Sequence, residues 1–115
     1  MDRACLFCLI VAGEVPSTEV AASEGTYAFR DIDPAAPTHV LVVPRRHIAD
    51  AGHLGPDDAG VLTEMMSTAR AVARAEGVDT TGYRLVFNVG EDARNTVAHL
   101  HLHVIGGRNL GWPPG

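Results

Sequence analysis

The amino-acid sequence predicts a single α+β domain in which an antiparallel sheet of about five strands packs against one long and one short helix. Two observations support this prediction. Short apolar segments of alternating polarity are separated by turn residues, as in β-hairpins, whereas a single segment has the apolar spacing of a long amphipathic helix. A length of 115 residues and a hydrophobic content of 46% are typical of one globular domain, so we expect residues 1–115 to form one domain.

The first predicted elements are a short helix and a hairpin. An unbroken apolar run over Leu6–Ala12 ends at Gly13, which predicts a short buried helix. Two alternating runs follow over residues 19–23 and 27–30, and the Glu-Gly-Thr sequence near their junction predicts a hairpin turn. The prolines within residues 31–37 then predict a loop.

Three further strands complete the predicted sheet. The β-branched, apolar run His39–Val43 suits the middle of a sheet, and Pro44 ends it. Apolar runs over residues 83–88 and 98–105 predict the last two strands.

One long helix is predicted between these strands, over residues 56–76. Its apolar positions recur at spacings of three and four: Val61, Leu62, Met65, Met66, Ala69, Val72 and Ala73. Pro56 suits the first helical position, and Gly77 suits a left-handed stop. Because the two methionines lie in the middle of the apolar stripe, we expect them to fill the core.

The composition excludes several classes of protein. All nine basic residues are arginine, so a Walker-A phosphate loop, a Schiff-base enzyme and a lysine-adenylylating ligase lack their essential lysine. None of the three serines lies in a Gly-x-Ser-x-Gly nucleophile elbow. A net charge of −5 with scattered arginines argues against a nucleic-acid partner. Because no long apolar run or leader is evident, we expect a cytoplasmic protein with no membrane partner.

Three histidines alternate with aliphatic residues in the predicted last strand: His99, His101 and His103. In a strand they share one face, with neighbouring imidazoles roughly 6.7 Å apart. The residues between them then face the core against the long helix: Leu100, Leu102 and Val104. Three imidazoles in register on one face indicate chemistry rather than packing.

Two kinds of chemistry fit this histidine pattern. Histidines spaced two apart could hold a catalytic zinc ion together with another ligand. Alternatively, one imidazole could be a nucleophile that its neighbours orient. The preceding loop over residues 88–96 offers amides, a hydroxyl and a guanidinium, and such donors suit a phosphate better than a metal cation.

The segment His99–Ile105 resembles the His-φ-His-φ-His-φ-φ signature of the histidine triad (HIT) family, where φ is an apolar residue. The similarity covers nearly the whole chain. It extends to the Hint branch, the histidine triad nucleotide-binding proteins, over residues 28–48, 82–88 and 106–115. The Trp-Pro-Pro-Gly sequence at residues 112–115 is similar to that branch specifically.

The resemblance implies a purine nucleoside phosphoramidase with a HIT-like fold. Such a homodimeric hydrolase binds purine nucleoside monophosphates and cleaves the P–N bond of adenosine or guanosine phosphoramidates. A neutral imidazole that attacks the phosphorus forms a P–N bond similar in energy to the one it breaks, which suits a nucleotidyl-histidine intermediate. The alternatives are a dinucleoside polyphosphate hydrolase and a nucleotide-binding regulator with little turnover.

The resemblance also implies roles for individual residues. The central His101 matches the family's nucleophile. His103 and Thr96 match positions that bind the phosphate and assist the leaving group. His39 matches an orienting histidine, and Asp31 matches the acid that accepts hydrogen bonds from the ribose hydroxyls.

Further nucleotide-binding positions follow from the same resemblance. Asn88 matches a side chain at the phosphate end, and the set is completed by Asn95 and His99. Six apolar residues match the slot for the base: Leu6, Phe7, Ile10, Phe29, Ile32 and Leu41. The alternative for each of the six is an ordinary core position.

Two positions depart from the animal proteins that the sequence resembles. Arg30 stands where a histidine often follows the aromatic residue, and Arg94–Val97 stands where Gly-Gln-Ser-Val is usual. An arginine in that loop could strengthen phosphate binding or narrow the entrance. Substrate preference is therefore less defined than reaction type.

Cys5 and Cys8 are the chain's two cysteines, and two intervening residues suit metal chelation at the start of a helix. A disulfide is disfavoured in a reducing compartment. The resemblance to bacterial HIT proteins implies a structural zinc ion whose other ligands are His47 and His99, with His53 as a competitor. The alternative is a pair of reduced, buried cysteines without metal.

The last residues predict an association between subunits. Two prolines prevent residues 111–115 from continuing a strand, yet this segment contains the chain's one tryptophan, which we expect to dock. Sheet edges left open would also invite aggregation. We therefore expect a two-fold homodimer in which the long helix and a strand edge meet their symmetry mates and the tail crosses towards the neighbouring active site.

Overall fold

A five-stranded antiparallel sheet forms the centre of the computed structural model, which describes residues 3–115. The strands are β1 (Glu19–Ala22), β2 (Thr26–Arg30), β3 (Thr38–Pro44), β4 (Tyr83–Phe87) and β5 (Leu102–Gly106). The helices are α1 (Leu6–Val11) and α2 (Ala59–Ala75), with 3-10 turns at Ala51–His53 and Pro56–Asp58. The strands lie in the order β1-β2-β3-β5-β4. The predicted α+β class, with one long and one short helix, is confirmed.

Strand β3 lies at the centre of the sheet and is buried along its whole length. Val40 is opposite Val104 of β5, and both belong to the core under α2. Leu41 is opposite His103, and Leu41 belongs to a second core under α1. Because successive side chains alternate between faces, His39 and His103 both project from the face that α1 covers.

Helix α2 presents its apolar stripe to the sheet. Met65 is fully buried and Met66 packs against the same core, so the two methionines fill the core as predicted. The helix predicted over residues 56–76 begins with a 3-10 turn and ends before Gly77, whose φ of +75° is a conformation that glycine adopts freely. Among residues 3–115, no helix is both long and apolar enough to cross a membrane.

The last strand is shorter than the sequence predicts. A strand was expected over residues 98–105, but β5 begins at Leu102. A longer ladder would place Pro44 opposite Leu100, and proline has no N–H with which to continue it. The N–H of Leu100 instead donates to the carbonyl of Ile48 at 2.6 Å. The alternation nevertheless continues, because Leu100 is buried in the core under α2.

Candidate functional site

A cavity of about 250 Å³ opens between α1, the loop after β2 and the segment that leads into β5. Five of the polar residues predicted for the site line it: Asp31, Asn88, Thr96, His101 and His103. These residues come from three separate parts of the chain. The fold therefore gathers one acid, one amide, one hydroxyl and two imidazoles around a single space.

All six predicted apolar residues line the same cavity: Leu6, Phe7, Ile10, Phe29, Ile32 and Leu41. Phe7 and Phe29 meet edge to face with ring centroids 5.4 Å apart and belong to the core under α1. Leu6 and Ile32 are 47% and 97% exposed, so they form the rim. The buried residues of the slot form its floor and also belong to the core under α1. The exposed side chains of Leu6 and Ile32 leave the edge of the slot open to solvent.

The tautomer of His101 follows from one hydrogen bond. Its Nδ1 lies 2.7 Å from the carbonyl oxygen of His99, and a carbonyl only accepts, so Nδ1 carries the proton. When the ring is neutral, Nε2 therefore keeps its lone pair. His101 is also one of the residues that line the cavity. The ring also meets that of Phe7 edge to face, with centroids 5.1 Å apart. The site therefore contains an oriented imidazole with a nucleophilic nitrogen.

A second imidazole pair fixes the tautomer of His103. The backbone N–H of Ala35 donates to Nδ1 of His39 at 2.9 Å, so the ring proton of His39 is on Nε2. That Nε2 donates to Nδ1 of His103 at 2.9 Å, and it also lies 3.4 Å from a carboxylate oxygen of Asp31. The proton of His103 is consequently on its Nε2, which lies 3.5 Å from the side-chain amide nitrogen of Asn88; this contact becomes a hydrogen bond when the amide turns so that its Oδ1 accepts. His103 is thus a hydrogen-bond donor beside the cavity.

The charge state of His103 is set by its surroundings. Burial above all, together with the nearby imidazoles of His101 and His39, lowers its pKa to about 4 against the opposing effect of the Asp31 carboxylate. At neutral pH the free protein therefore holds His103 as a neutral donor. An anion bound beside it would favour the protonated form.

A second cluster of chemical groups lies where α1 begins. Its four ligand atoms come from Cys5, Cys8, His47 and His99 and all lie within 4.8 Å of one another. The Nδ1 of His99 is 3.3 Å from Sγ of Cys5 and 3.4 Å from Sγ of Cys8. The Nδ1 of His47 is 3.3 Å from Sγ of Cys8.

These distances suit a tetrahedral metal site. Zinc bonds of ordinary length separate a sulfur and a nitrogen ligand by about 3.5 Å. The Nε2–H of His99 donates to the carbonyl of Pro44 at 2.8 Å, so Nδ1 directs its one lone pair between two sulfurs. Burial also lowers the pKa of His99, which favours the neutral ring that a metal requires. The donor set and its supporting hydrogen bond therefore fit zinc.

The family follows from comparison with known proteins. The HIT domain family model matches residues 12–110. The chain belongs to the HIT domain family. A HIT-like protein from Synechococcus elongatus is 40% identical, over 100% of this chain and 100% of the relative. A 14 kDa zinc-binding protein from Zea mays is 39% identical, over 99% of this chain and 90% of the relative.

Solved structures agree with the HIT assignment. A HIT family hydrolase from Legionella pneumophila is 48% identical, with a TM-score of 0.94 over 96% of this chain and 99% of that chain. A histidine triad protein from Clostridium difficile is 34% identical, with a TM-score of 0.93 over 96% of each chain. The fold and the broad class of HIT family hydrolase-like proteins are thus shared.

Three residues predicted for catalysis or nucleotide binding in this HIT domain do not line the cavity, and the alternative metal ligand His53 lies apart from the cysteines. His39 contacts His103 instead, and His99 is fully buried in the cysteine cluster. Asn95 has a buried side-chain oxygen without a hydrogen-bond partner among residues 3–115. His53 is exposed beside Asp50, 2.7 Å away, and is not part of the cysteine cluster.

The HIT cavity has two further lining residues, Arg94 and Val97. Arg94 was predicted only as a departure from the animal proteins that the sequence resembles, and Val97 was not predicted for the site. The signal for Val97 was the alternation of the histidine segment, since a two-residue step back from His99 places Val97 on the same face.

Proposed function

We propose that this HIT domain is a purine nucleoside phosphoramidase of the Hint branch. The observation that supports it best is the pair of tautomers at the cavity: a lone pair on Nε2 of His101 beside a proton on Nε2 of His103. A nucleophile and a proton donor placed together are what P–N cleavage through a histidine requires. The hydrolase description of the Legionella relative is consistent with this chemistry.

In the first step Nε2 of His101 attacks the phosphorus of the nucleotide. A bond from phosphorus to Nε2 forms, and the bond from phosphorus to the amine breaks as the amine takes up a proton. In the second step water attacks the phosphorus and releases the nucleotide, which restores the imidazole. Throughout, the carbonyl of His99 holds the Nδ1 proton of His101 and stabilises the positive charge that develops on the ring.

His103 is proposed to supply the proton to the leaving amine. The phosphate anion of the substrate favours uptake of one proton from solvent by His103, and the resulting imidazolium gives its Nε2 proton to the leaving amine and returns to the neutral ring. The Nε2–H of His39 supports Nδ1 of His103, and the carboxylate of Asp31 lies near this pair. Thr96 supplies a hydroxyl and Asn88 an amide to the phosphate oxygens, since both line the cavity.

Nucleoside binding follows from the rest of the cavity. The base lies in the apolar slot between its buried floor and the rim formed by Leu6 and Ile32. The carboxylate of Asp31 accepts hydrogen bonds from the ribose hydroxyls. His99 acts indirectly, since its carbonyl accepts the Nδ1–H of His101, and the backbone N–H of Asn95 donates to the carbonyl of Gly90 within the loop that presents Thr96.

We further propose that Cys5, Cys8, His47 and His99 hold one structural zinc ion. Four protein ligands leave no open position for a reacting water, so the ion contributes folding energy rather than chemistry. The ligand positions would tie the start of α1 to the segment after β3 and to the segment before β5. The name of the Zea mays relative supports metal binding.

The direct test is mass spectrometry of a quenched reaction with an adenosine 5′-phosphoramidate. We expect a nucleotidyl adduct on a peptide that contains His101, and its absence from His101→Asn. Rapid turnover without any adduct on that peptide would contradict the histidine mechanism. Turnover that stops on treatment with a chelator, while the protein stays folded, would instead favour a catalytic zinc.

A further inference from the structure

Arg94 adopts an unusual backbone conformation at the edge of the cavity. Its φ is +61°, the one positive φ of a non-glycine residue among residues 3–115. Side chains other than asparagine and aspartate rarely adopt this region, which glycine enters freely. The backbone N–H of Arg94 donates to the carbonyl of Glu91 at 2.9 Å, so the strained residue closes a tight turn. Strain of this kind is retained where the side chain has a use.

Arg94 is one of the residues that line the cavity, as are Thr96 and His101. Because the chain has no lysine, arginine is its source of permanent positive side-chain charge. Arg94 is the one arginine among the residues that line this cavity. The imidazole of His103 is neutral in the free protein at neutral pH, since burial above all lowers its pKa to about 4. Arg94 is therefore the permanently positive residue that lines the cavity and can meet an anionic leaving group.

Most other arginines are engaged elsewhere. Six of the nine donate side-chain hydrogen bonds within residues 3–115: Arg3, Arg30, Arg45, Arg46, Arg84 and Arg108. Arg70 and Arg74 lie together on an exposed part of α2. The guanidinium of Arg94 makes no hydrogen bond or ion pair within residues 3–115, so its five donors remain for a ligand.

Arg94 lies towards one end of the cavity. At one end Asp31 and Ile32 also border a neighbouring depression that includes Pro16 and Arg30. At the other end Thr96 and Val97 border a depression that includes His47. Asp31, the proposed ribose acid, and the segment of Thr96 and Val97 thus border different ends of the cavity, and Arg94 belongs to the same loop as Thr96. We expect a nucleotide whose ribose binds Asp31 to direct its leaving group towards this loop.

We propose that Arg94 is a specificity-determining residue that binds an anionic group on the leaving group, a carboxylate or a phosphate. The inference rests on the proposed function and adds the class of substrate. A guanidinium is always charged and matches either anion with two parallel hydrogen bonds. Substrates with a negatively charged leaving group are then preferred over neutral or cationic amines.

The test compares three adenosine 5′-phosphoramidates: those of β-alanine, β-alaninamide and 1,2-diaminoethane. Their leaving groups are anionic, neutral and cationic, and kcat/KM is measured for each. We expect wild type to favour the β-alanine substrate over the amide by about tenfold, as one charge-assisted contact provides. Arg94→Gly and Arg94→Gln should reduce this preference to near unity. The matched control, Arg70→Gln, removes the same charge far from the cavity and should keep the preference.

Arg94→Gly is expected to fold, because glycine adopts a φ of +61° without strain. Its Tm should equal or exceed that of wild type. If both Arg94 variants fold and retain the wild-type preference, the inference is overturned. If wild type turns over no phosphoramidate, the proposed function fails. Equilibrium binding of ADP and AMP then tests separately whether Arg94 binds an anionic group.

In that binding measurement the β-phosphate of ADP is the anionic probe. Tighter binding of ADP than AMP by wild type, lost in Arg94→Gly and kept in Arg70→Gln, supports the anion contact. Equal affinities for the two nucleotides in all three proteins overturn it, provided that the β-alanine preference is also absent. If the Arg94 substitutions weaken only the preference for the β-alanine substrate, the anion that Arg94 binds is a carboxylate. If they weaken only the binding of ADP, the anion is a phosphate.

Discussion

Two histidines that are two residues apart face different chemical environments because of their hydrogen bonds. His99 donates from Nε2 to the carbonyl of Pro44, which leaves Nδ1 for the cysteines. His101 donates from Nδ1 to the carbonyl of His99, which leaves Nε2 for the cavity. Backbone carbonyls therefore decide which nitrogen of each ring can react.

Replacing His101 by asparagine tests the proposed nucleophile. We expect His101→Asn to fold and bind AMP but to lose turnover by several orders of magnitude, since the covalent pathway is removed and the apolar slot remains. Steady-state kinetics and AMP titration measure the two effects. His53→Asn, which changes an exposed histidine outside the cavity, is the control and should keep its rate. A His101→Asn variant with about a tenth of the wild-type rate would rule out the nucleophile.

His103 makes the stability of the fold depend on pH. Its pKa is lowered from 6.5 in the unfolded chain to about 4 in the fold. Between these values the unfolded chain binds more protons, so the free energy of unfolding falls as the pH falls. Each pH unit in that interval removes at most about 1.4 kcal/mol for this group.

Urea denaturation across that pH interval measures the effect. We expect His103→Asn to have a flatter dependence of unfolding free energy on pH than wild type, whatever its absolute stability. His99, whose pKa is also lowered by burial, maintains part of the slope in both proteins. Identical slopes would show that His103 titrates normally in the fold.

At the scale of elements, helix α1 is too short to be stable by itself. It spans six residues, whereas isolated helices need about 12 or more. Its attachment consists of the core around Phe7 and of the cluster of two cysteines and two histidines. A metal in this cluster would therefore stabilise α1 and the cavity floor together.

Removing one cysteine tests the structural zinc. We expect one zinc ion per chain in protein purified without chelators, and we expect Cys8→Ser to lower the Tm much more than it lowers activity at low temperature. A chelator should lower the Tm of wild type and leave that of Cys8→Ser nearly unchanged. Metal analysis that finds no zinc in wild type would count directly against the site.

The hairpin of β1 and β2 is attached to α2 through one carboxylate. Glu64 accepts the N–H of Gly25 at 2.6 Å and the hydroxyl of Ser23, and these bonds lower its pKa. Thr26 and Thr68 join the same elements through a hydroxyl pair at 2.7 Å. The long helix thus holds the β1 edge of the sheet in place as well as filling the core.

At the scale of the whole molecule, two features favour self-association. Trp112 is 82% exposed, although the segment around it is attached by Arg84, which donates to the carbonyl of Gly111 at 2.8 Å. Strands β1 and β4 lie at the two edges of the sheet. An exposed indole and open edges are both protected when two copies meet across a two-fold axis.

Sedimentation and a truncation test this association. We expect a homodimer at micromolar concentration. Deleting residues 111–115 should change the selectivity among amine leaving groups while AMP affinity stays nearly the same, because the base slot lies elsewhere. A monomer at that concentration, or a truncated protein with unchanged rates for every substrate, would contradict the prediction.

Prediction from sequence worked best where spacing along the chain reports the structure directly. The helix over residues 56–76 follows from its apolar period, and its end follows from Gly77. The same reasoning overextended the last strand, because the alternation continues through residues 98–101 after the ladder has stopped. Alternation shows which face a side chain occupies and does not show whether the backbone is paired.

The sequence by itself determined the α+β class and the alternation that places Leu100, Leu102 and Val104 in the core, and its resemblance to the HIT family indicated six apolar residues that line one cavity. Only the tertiary structure decided that His39 supports His103, that Arg94 is strained beside the cavity, and that Cys5 meets His99, 94 positions away. The tautomers of the imidazoles were also decided there. Periodicity reports neighbours along one element, whereas these contacts depend on how separate elements pack and which backbone carbonyls they bring within hydrogen-bonding distance.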